Sequence, residues 1–186
     1  HFGIMDVCGF PKNIYYYYQS WWTDKDVLHI APHWNWKGKE GELIKVWVNT
    51  NAQDVELFLN SKSLGKKNMP INGHLEWDIK YQPGVLEAIA TKNGRKLKSK
   101  VETTNKPVQI VLESDKNELV SNGSDAAVIN VSVVDSEGRK VPDAHNLIHF
   151  SVQGDVKIVG VGNGDPSCHE SDQFADGKYE RSLFNG

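Results

Sequence analysis

The chain has 186 residues, which is enough for one large domain or two small ones. Its 21 Lys and Arg residues are balanced by 24 Asp and Glu residues, for a formal net charge of -3. That balance leaves no basic excess to bind phosphates, and no apolar run approaches the roughly 20 residues that span a bilayer. We therefore expect no nucleic-acid partner and no membrane span.

The cysteines and the first residue bear on the setting of the chain. Cys8 and Cys168 stand near opposite ends of the sequence. A single distant pair is neither a disulfide framework nor a four-ligand zinc site, so we expect free thiols. The sequence begins with His1, and no charged-then-apolar leader precedes its first motif. These features predict a chain that starts inside a longer protein, with its compartment unknown.

Residues 11–22 (PKNIYYYYQSWW) are predicted to form one amphipathic helix, since proline is favoured in a first helical turn. Apolar side chains recur at close to helical spacing at Ile14, Tyr18, Trp21 and Trp22. A helix of about 12 residues is marginal alone in water, so its aromatic face needs a partner. We predict packing on the following strands, or self-association with a neighbouring copy, through Tyr15, Tyr18, Trp21 and Trp22.

From Leu28 onward the apolar period changes to two, which is typical of half-buried strands. The inward-facing residues are predicted to be Ile44, Val46 and Val48, then Val55, Leu57 and Leu59, then Leu75, Trp77 and Ile79. The opposite face of the first of these strands carries Lys45, Trp47 and Asn49. Asn93-Gly94 favours a type I′ hairpin, and Ser61 to Gly65 is predicted to form another reversal.

Residues 103–107 (TTNKP) are polar and end in a proline, so we place a domain boundary there. Further strands are predicted around Ile110 and Leu112, Ile129 to Val133, Ile148 to Val152, and Val156 to Val161. Turn signals at Asn122-Gly123, Glu137-Gly138 and Gln153-Gly154 divide them. We predict an all-β fold of two immunoglobulin-like β-sandwich domains in tandem, preceded by one short helix. The predicted segments are 1–24, 25–106 and 107–186.

Three motifs in this order resemble glycoside hydrolase family 2, particularly its β-galactosidase branch. FGIMDVCGFPK followed by YYYYQSWW resembles the loop and final helix that close the family's catalytic (β/α)8 barrel. PHWNWKGKEGELIKVWVNTNAQDVELFLNSKSLGKK resembles the small sandwich that follows the barrel, and VSVVDSEGRKVPDAHNLIHFSVQG with VGVGNGDP resembles a later immunoglobulin-like domain. The resemblance covers nearly the whole chain.

The resemblance implies that the parent is a retaining glycosidase with two catalytic glutamates, both upstream of this sequence. No residue here inherits a catalytic role, and the chain alone is expected to be inactive, without cofactor or metal. Its implied partner is the catalytic barrel of the parent. Accessory domains of this kind brace the barrel, complete the rim of its cleft or form the contacts between subunits of an oligomer. The resemblance also implies that 107–186 lacks a final strand, and it is compatible with an exported parent, periplasmic or secreted.

His33, Trp34 and Trp36 form the most conspicuous cluster. Flat aromatic faces and an imidazole can stack on a sugar ring and hydrogen-bond to it. Strand alternation instead places both tryptophans on one face, where core or domain-interface packing is the favoured interpretation. The three residues are therefore candidates for sugar contact or for a domain interface.

Other patterns in the sequence favour ordinary turns and surfaces. Asp165, Glu170 and Asp172 follow Gly162-Asn163-Gly164 and could form a calcium loop, but this composition is also that of a tight turn, which we favour. No phosphate-binding glycine motif and no GxSxG elbow occurs. An autonomous carbohydrate-binding or adhesion module is the main alternative function, and an enzyme with a site assembled from distant residues is a third.

Overall fold

The computed structural model of the protein describes residues 3–170 and 179–184. These residues divide into two compact units. The first unit contains the described residues up to Thr103 together with Gly164–Cys168, and the second contains the remaining described residues. Antiparallel strands dominate both units, which confirms the predicted all-β fold with one short helix.

The described residues contain one helix and eleven strands. The elements of the first unit are α1 (Asn13–Trp22), β1 (Leu28–Ala31), β2 (Leu43–Thr50), β3 (Asp54–Leu59), β4 (Lys62–Asn68), β5 (Leu75–Lys80), β6 (Val85–Lys92) and β7 (Arg95–Glu102). Those of the second unit are β8 (Gln109–Ser114), β9 (Ile129–Val134), β10 (Leu147–Phe150) and β11 (Tyr179–Ser182).

The first unit is a sandwich of two sheets, with strand orders β1-β2-β5 and β4-β3-β6-β7. Alternate side chains of β2, β3 and β5 point into the space between the sheets, as their period of two predicts. The core joins Val46, Val48, Leu75, Trp77 and Ile79 of one sheet to Val55, Leu57, Leu86, Ala88 and Ala90 of the other. Burying each large apolar side chain stabilises the fold by about 1.5–3 kcal/mol.

The two predicted reversals of the first unit have different outcomes. Asn93 and Gly94 both have positive φ, 49° and 77°, and join β6 to β7, which confirms the type I′ hairpin. The other reversal occurs at Asn60-Ser61 rather than over Ser61 to Gly65, because β4 already begins at Lys62. The Asn60 amide fixes that turn by accepting the Val85 N–H at 2.9 Å and donating to the Pro83 carbonyl at 3.1 Å.

The second unit pairs β8 with β9 and β10 with β11 around a smaller core of Val133, Val141, Ala144 and Ile148. The predicted strand over Val156 to Val161 is wrong, because residues 151–170 are described without any strand. Val159 is 82% exposed, and among the described residues this apolar run forms no ladder with another strand. The absence of a final strand from this domain stays a prediction.

A buried carboxylate organises the turn that follows β9. Asp135 accepts the N–H groups of Asn105, Glu137 and Arg139 at 2.9 to 3.0 Å. The Arg139 guanidinium adds two charge-assisted bonds to Asp135 Oδ2, at 2.9 and 2.6 Å. The hydrogen bonds from Arg139 hold the pKa of Asp135 well below its ordinary value, and the backbone N–H groups lower that pKa further. The ionised form of this side chain is therefore the form that the turn requires.

Replacing Asp135 with Asn is expected to lower the unfolding midpoint of the second unit at pH 7, because Arg139 loses its buried counter-charge. The folded pKa of Asp135 lies below its unfolded value of about 3.8, so its stabilisation is present above pH 4 and declines as the pH falls further. The difference between Asp135→Asn and wild type should therefore shrink between pH 4 and pH 2 in urea titrations. Asp155→Asn, at an exposed carboxylate of the same unit, is the control; an equal effect there would contradict this role.

Candidate functional site

The aromatic cluster predicted from the sequence follows β1, and its central residue lies in the core. Trp34 is 0% exposed and packs edge-on against Tyr81, with ring centroids 5.2 Å apart. Its indole N–H donates to the Gln82 carbonyl at 3.0 Å, and Thr103 Oγ1 donates to the Trp34 carbonyl at 2.7 Å. Trp34 therefore offers no surface to a sugar ring or to another domain.

His33 and Trp36 remain half-buried beside this core. Their rings stack with centroids 4.9 Å apart and planes 21° apart, and Trp36 Nε1 donates to the His33 carbonyl at 3.0 Å. Lys39 Nζ lies 5.1 Å from the centre of the Trp36 ring. The two side chains thus contact each other, and Lys39 lies over Trp36. Their role in sugar contact or at a domain interface stays a prediction.

Truncation of Trp34 provides a test of the core assignment. Trp34→Ala is expected to lower the free energy of unfolding of the first unit by about 3–5 kcal/mol, because it leaves a cavity and an unpaired Gln82 carbonyl. Trp22→Ala, at a side chain that is 73% exposed, is expected to change it by less than about 0.5 kcal/mol. Urea titration followed by far-ultraviolet circular dichroism measures both, and equal effects would contradict the assignment.

Helix α1 is held on the first sandwich by one polar and aromatic face. The Tyr16 ring stacks on His29 of β1 with centroids 3.7 Å apart and planes 10° apart, and His29 Nε2 lies 3.0 Å from Asn13 Oδ1. The Tyr17 hydroxyl donates to the Asn72 carbonyl at 2.7 Å. Trp21 Nε1 donates to the Gly73 carbonyl at 3.1 Å. These bonds fix the helix to the sandwich.

Another side of α1 carries an apolar stripe at Ile14, Tyr18 and Trp22, spaced one helical turn apart, in which Tyr18 is half-buried. Ile14 is 46% exposed and Trp22 is 73% exposed, while Tyr18 and Trp22 contact each other at 4.7 Å. The predicted packing on the sandwich is found for Trp21. Trp22 does not pack there, and its alternative, packing on a neighbouring copy, stays a prediction. The apolar period of the sequence predicted the stripe correctly. Hydrogen bonds, which that period does not report, determine which face of the helix contacts the sandwich.

The helix anchor contains a half-buried imidazole, that of His29. Burial lowers the pKa of His29 from 6.5 to about 4. Between these two pH values the His29 imidazole is protonated in the unfolded chain and neutral in the folded chain. Acidification in this interval therefore favours unfolding. Well above pH 6.5 both states are neutral at this position, so the protonation of His29 no longer affects stability.

Between pH 7 and pH 4, wild type is expected to lose up to about 3 kcal/mol of stability through His29, at 1.36 kcal/mol per pKa unit. His29→Phe keeps a flat ring against Tyr16 but cannot titrate, so this part of the pH dependence should disappear. Urea titrations of both proteins at half-unit pH steps measure it. Parallel stability curves for the two proteins would contradict the prediction.

A second cluster lies on the outer face of the β1-β2-β5 sheet and was not singled out as a site by the sequence. Trp47 stands directly opposite Glu76 in the β2-β5 ladder and is 42% exposed. Glu76 Oε1 accepts Trp47 Nε1 at 3.1 Å and lies 2.8 Å from His74 Nε2. Glu76 Oε2 accepts Lys45 Nζ at 3.0 Å. The strand period already predicted that Trp47 faces outward. An outward-facing tryptophan is the feature of the sequence that could have identified this cluster as a candidate site.

The charged groups in this cluster are paired with one another. Hydrogen bonds from His74 and then Lys45 lower the pKa of Glu76 to about 2. Lys45 Nζ also lies 3.6 Å from Asp78 Oδ1, and its pKa is raised, chiefly by the bond to Glu76. The cluster therefore holds an exposed indole between ionised groups whose positions are fixed by pairing.

A cavity of about 220 Å³ in the first unit is lined by Gly3, Met5, Asp6, Val7, Lys12, Gly164 and Pro166. Asp6 Oδ1 accepts the N–H groups of Cys8 and Phe10 at 2.9 and 2.8 Å. A Cβ at Gly164 would clash with Asp6 Oδ2, so only glycine permits this approach. Asp6 is the one carboxylate among these lining residues, and it organises its own loop.

Neither a metal site nor a membrane span emerges from the described residues. No three His, Cys, Asp or Glu side chains described here come together as a metal site. Asp165 Oδ1 accepts the Ser167 N–H at 2.8 Å as in a tight turn, Glu170 accepts the Ser182 N–H at 2.9 Å, and Asp172 lies outside the described residues. Neither Cys8 nor Cys168 takes part in a disulfide among the described residues. No helix in the described part of the chain is long and apolar enough to cross a membrane.

Comparison with known proteins assigns both halves of the chain. Residues 110–186 match the model of glycoside hydrolase family 2 C-terminal domain 5, and residues 41–98 match a domain of unknown function, DUF4982. The chain is 44% identical over its whole length to beta-galactosidase BoGH2A of Bacteroides ovatus, of which it spans 22%.

Solved structures agree with these matches. A glycosyl hydrolase family 2 member from Bacteroides cellulosilyticus has a TM-score of 0.91 and 32% identity over 99% of this chain and 27% of its own. A beta-glycosidase from Bacteroides vulgatus has a TM-score of 0.89 and 35% identity over 100% of this chain and 24% of its own. The chain thus spans about a quarter or less of these relatives. It belongs to glycoside hydrolase family 2, as part of the family's non-catalytic C-terminal region.

Proposed function

We propose that this chain is the accessory region of a β-galactoside-cleaving glycosidase and braces a catalytic domain that lies outside it. The observation that carries the proposal is the two-sided helix α1. One side is bonded to the first sandwich through Tyr16, Tyr17 and Trp21, while another exposes Ile14 and Trp22 on either side of the half-buried Tyr18. A rigidly mounted apolar stripe is suited to packing against a second domain.

The inactivity proposed for the isolated chain rests on the chemistry of its cavity. Retaining glycosidases use two carboxyl groups about 5 to 5.5 Å apart, one as acid/base and one as nucleophile. The cavity beside Asp6 supplies a single carboxylate, and two backbone N–H groups already occupy its Oδ1. Asp6 therefore serves its own loop rather than bond cleavage.

The substrate class is proposed from the relatives. A protein named beta-galactosidase is 44% identical to the chain over its whole length, whereas one named putative beta-glucuronidase is 36% identical over 99% of the chain. The higher identity favours a neutral β-galactoside as the substrate of the intact enzyme. The chain itself contributes support for the catalytic domain and takes no part in the chemical steps.

The purified chain is expected to leave a chromogenic β-galactoside intact, because it lacks a carboxylate pair in its cavity. Release of nitrophenol from p-nitrophenyl β-galactoside, measured against buffer, tests this. Asp6→Asn serves as a matched variant, since any trace activity from a contaminant would be the same in both preparations. Turnover that co-purifies with the folded chain and falls in Asp6→Asn would overturn the proposal.

The bracing role is tested in a longer protein that carries this chain after its catalytic domain. The double substitution Ile14→Ser and Trp22→Ser is expected to weaken domain packing by about 1.5–3 kcal/mol per side chain. The enzyme should then lose β-galactosidase activity at a lower temperature than wild type. Val159→Ser, at an apolar residue of the second unit that is 82% exposed, is the control. Identical thermal inactivation of wild type and the double variant would exclude bracing through α1.

A further inference from the structure

We propose that the outer face of the β1-β2-β5 sheet carries a surface binding site for a neutral pyranoside, centred on Trp47. The site is formed by the exposed indole of Trp47 with Glu76, Lys45 and Asp78 beside it on the same face. It is separate from the catalytic role proposed for the parent enzyme. It also replaces Trp34 as the aromatic surface, since Trp34 lies in the core.

The Trp47 ring is held in place before any ligand arrives. Its N–H donates to Glu76 Oε1 at 3.1 Å, and His74 stands edge-on to it with ring centroids 6.3 Å apart. Glu76 is fixed in turn by Lys45 and His74 at 3.0 and 2.8 Å. A ring restrained in this way loses little side-chain entropy when a flat ligand stacks on it. The 42% exposure of Trp47 leaves surface for such a ligand.

Hydrogen-bonding groups adjoin the indole in the ladder. Lys45 and Asp78 pair across β2 and β5 one step beyond Trp47 and Glu76 on this face, about 7 Å further along the strands. Their side chains are 50% and 64% exposed, and Glu76 is 44% exposed. Ammonium donors and carboxylate acceptors of this kind match the hydroxyl groups of a sugar. A pyranoside stacked on Trp47 is therefore bordered by groups that can orient it.

The charge balance selects a neutral sugar over a uronate. The Lys45 ammonium lies within 4 Å of two carboxylates, at 3.0 Å from Glu76 and 3.6 Å from Asp78. These two negative charges outweigh the single lysine charge. A uronate carboxylate brought to this face would meet like charge, and like charges repel at short range. A galactoside or glucoside carries no such charge.

The experiment titrates the whole chain with methyl β-D-galactopyranoside and, separately, with methyl β-D-glucuronide. The shift of the tryptophan indole N–H signals is followed by two-dimensional NMR, and Trp47→Ala identifies the Trp47 signal. We expect a saturable shift of that signal with the galactoside, with a dissociation constant on the order of a millimolar for a single stacked ring. The uronate should bind at least about threefold more weakly.

Two variants make the test specific. Trp22→Ala removes another exposed indole and should leave the galactoside titration unchanged. Glu76→Gln retains an acceptor for the Trp47 N–H but removes the negative charge that pairs with Lys45. Binding of the uronate should therefore rise relative to binding of the galactoside. Amide signal dispersion verifies that each variant is folded.

Three results would overturn the proposal: no saturable shift at Trp47, equal binding of the two sugars by wild type, or no change of preference in Glu76→Gln. The test is independent of the accessory role, because bracing depends on Ile14 and Trp22 and is measured by thermal inactivation. Loss of sugar binding with normal inactivation, or the reverse, separates the two proposals.

Discussion

The requirement that one face of the β1-β2-β5 sheet be buried determines the rest of the first unit. Val46 and Val48 must point into the core, so Lys45, Trp47 and Asn49 must point away from it. The outer face therefore receives groups that hydrogen-bond, among them His29 and Glu76. Helix α1 covers the end of this face that carries His29 and Asn49, and the Trp47 end stays exposed. A one-residue slip of β2 would exchange the core and both surface features.

The polar character of this face explains how α1 is oriented. An apolar sheet face would attract the stripe of Ile14, Tyr18 and Trp22, and the helix would then have no second apolar surface. Because the sheet presents His29 and nearby backbone carbonyls, the helix turns its hydrogen-bonding residues inward instead. The apolar stripe remains exposed as a consequence of the strand register beneath it.

The sequence predicts elements whose partners lie close in the chain better than it predicts surfaces. The alternating strands and the Asn93-Gly94 hairpin depend on local period and turn chemistry, and both are found. The strand expected over Val156 to Val161 fails because a strand needs a partner, and an apolar run cannot supply one. Trp34 and Trp47 show the same limit. The strand period predicted an outward Trp47 and favoured packing for Trp34, but only the assembled sandwich shows that Glu76 holds the first ring and that Tyr81 packs on the second.

The two ends of the outer face respond differently to acid. His29, beneath α1, has a pKa lowered to about 4 by burial, so the helix anchor begins to weaken as soon as the pH falls below 6.5. Glu76, at the other end, has a pKa lowered to about 2 by His74 and Lys45, so it remains ionised throughout that interval. Its bond to the Trp47 N–H therefore persists at pH values where the helix anchor is already weakened. Mild acid thus distinguishes the surface that holds the helix from the surface that fixes the exposed indole.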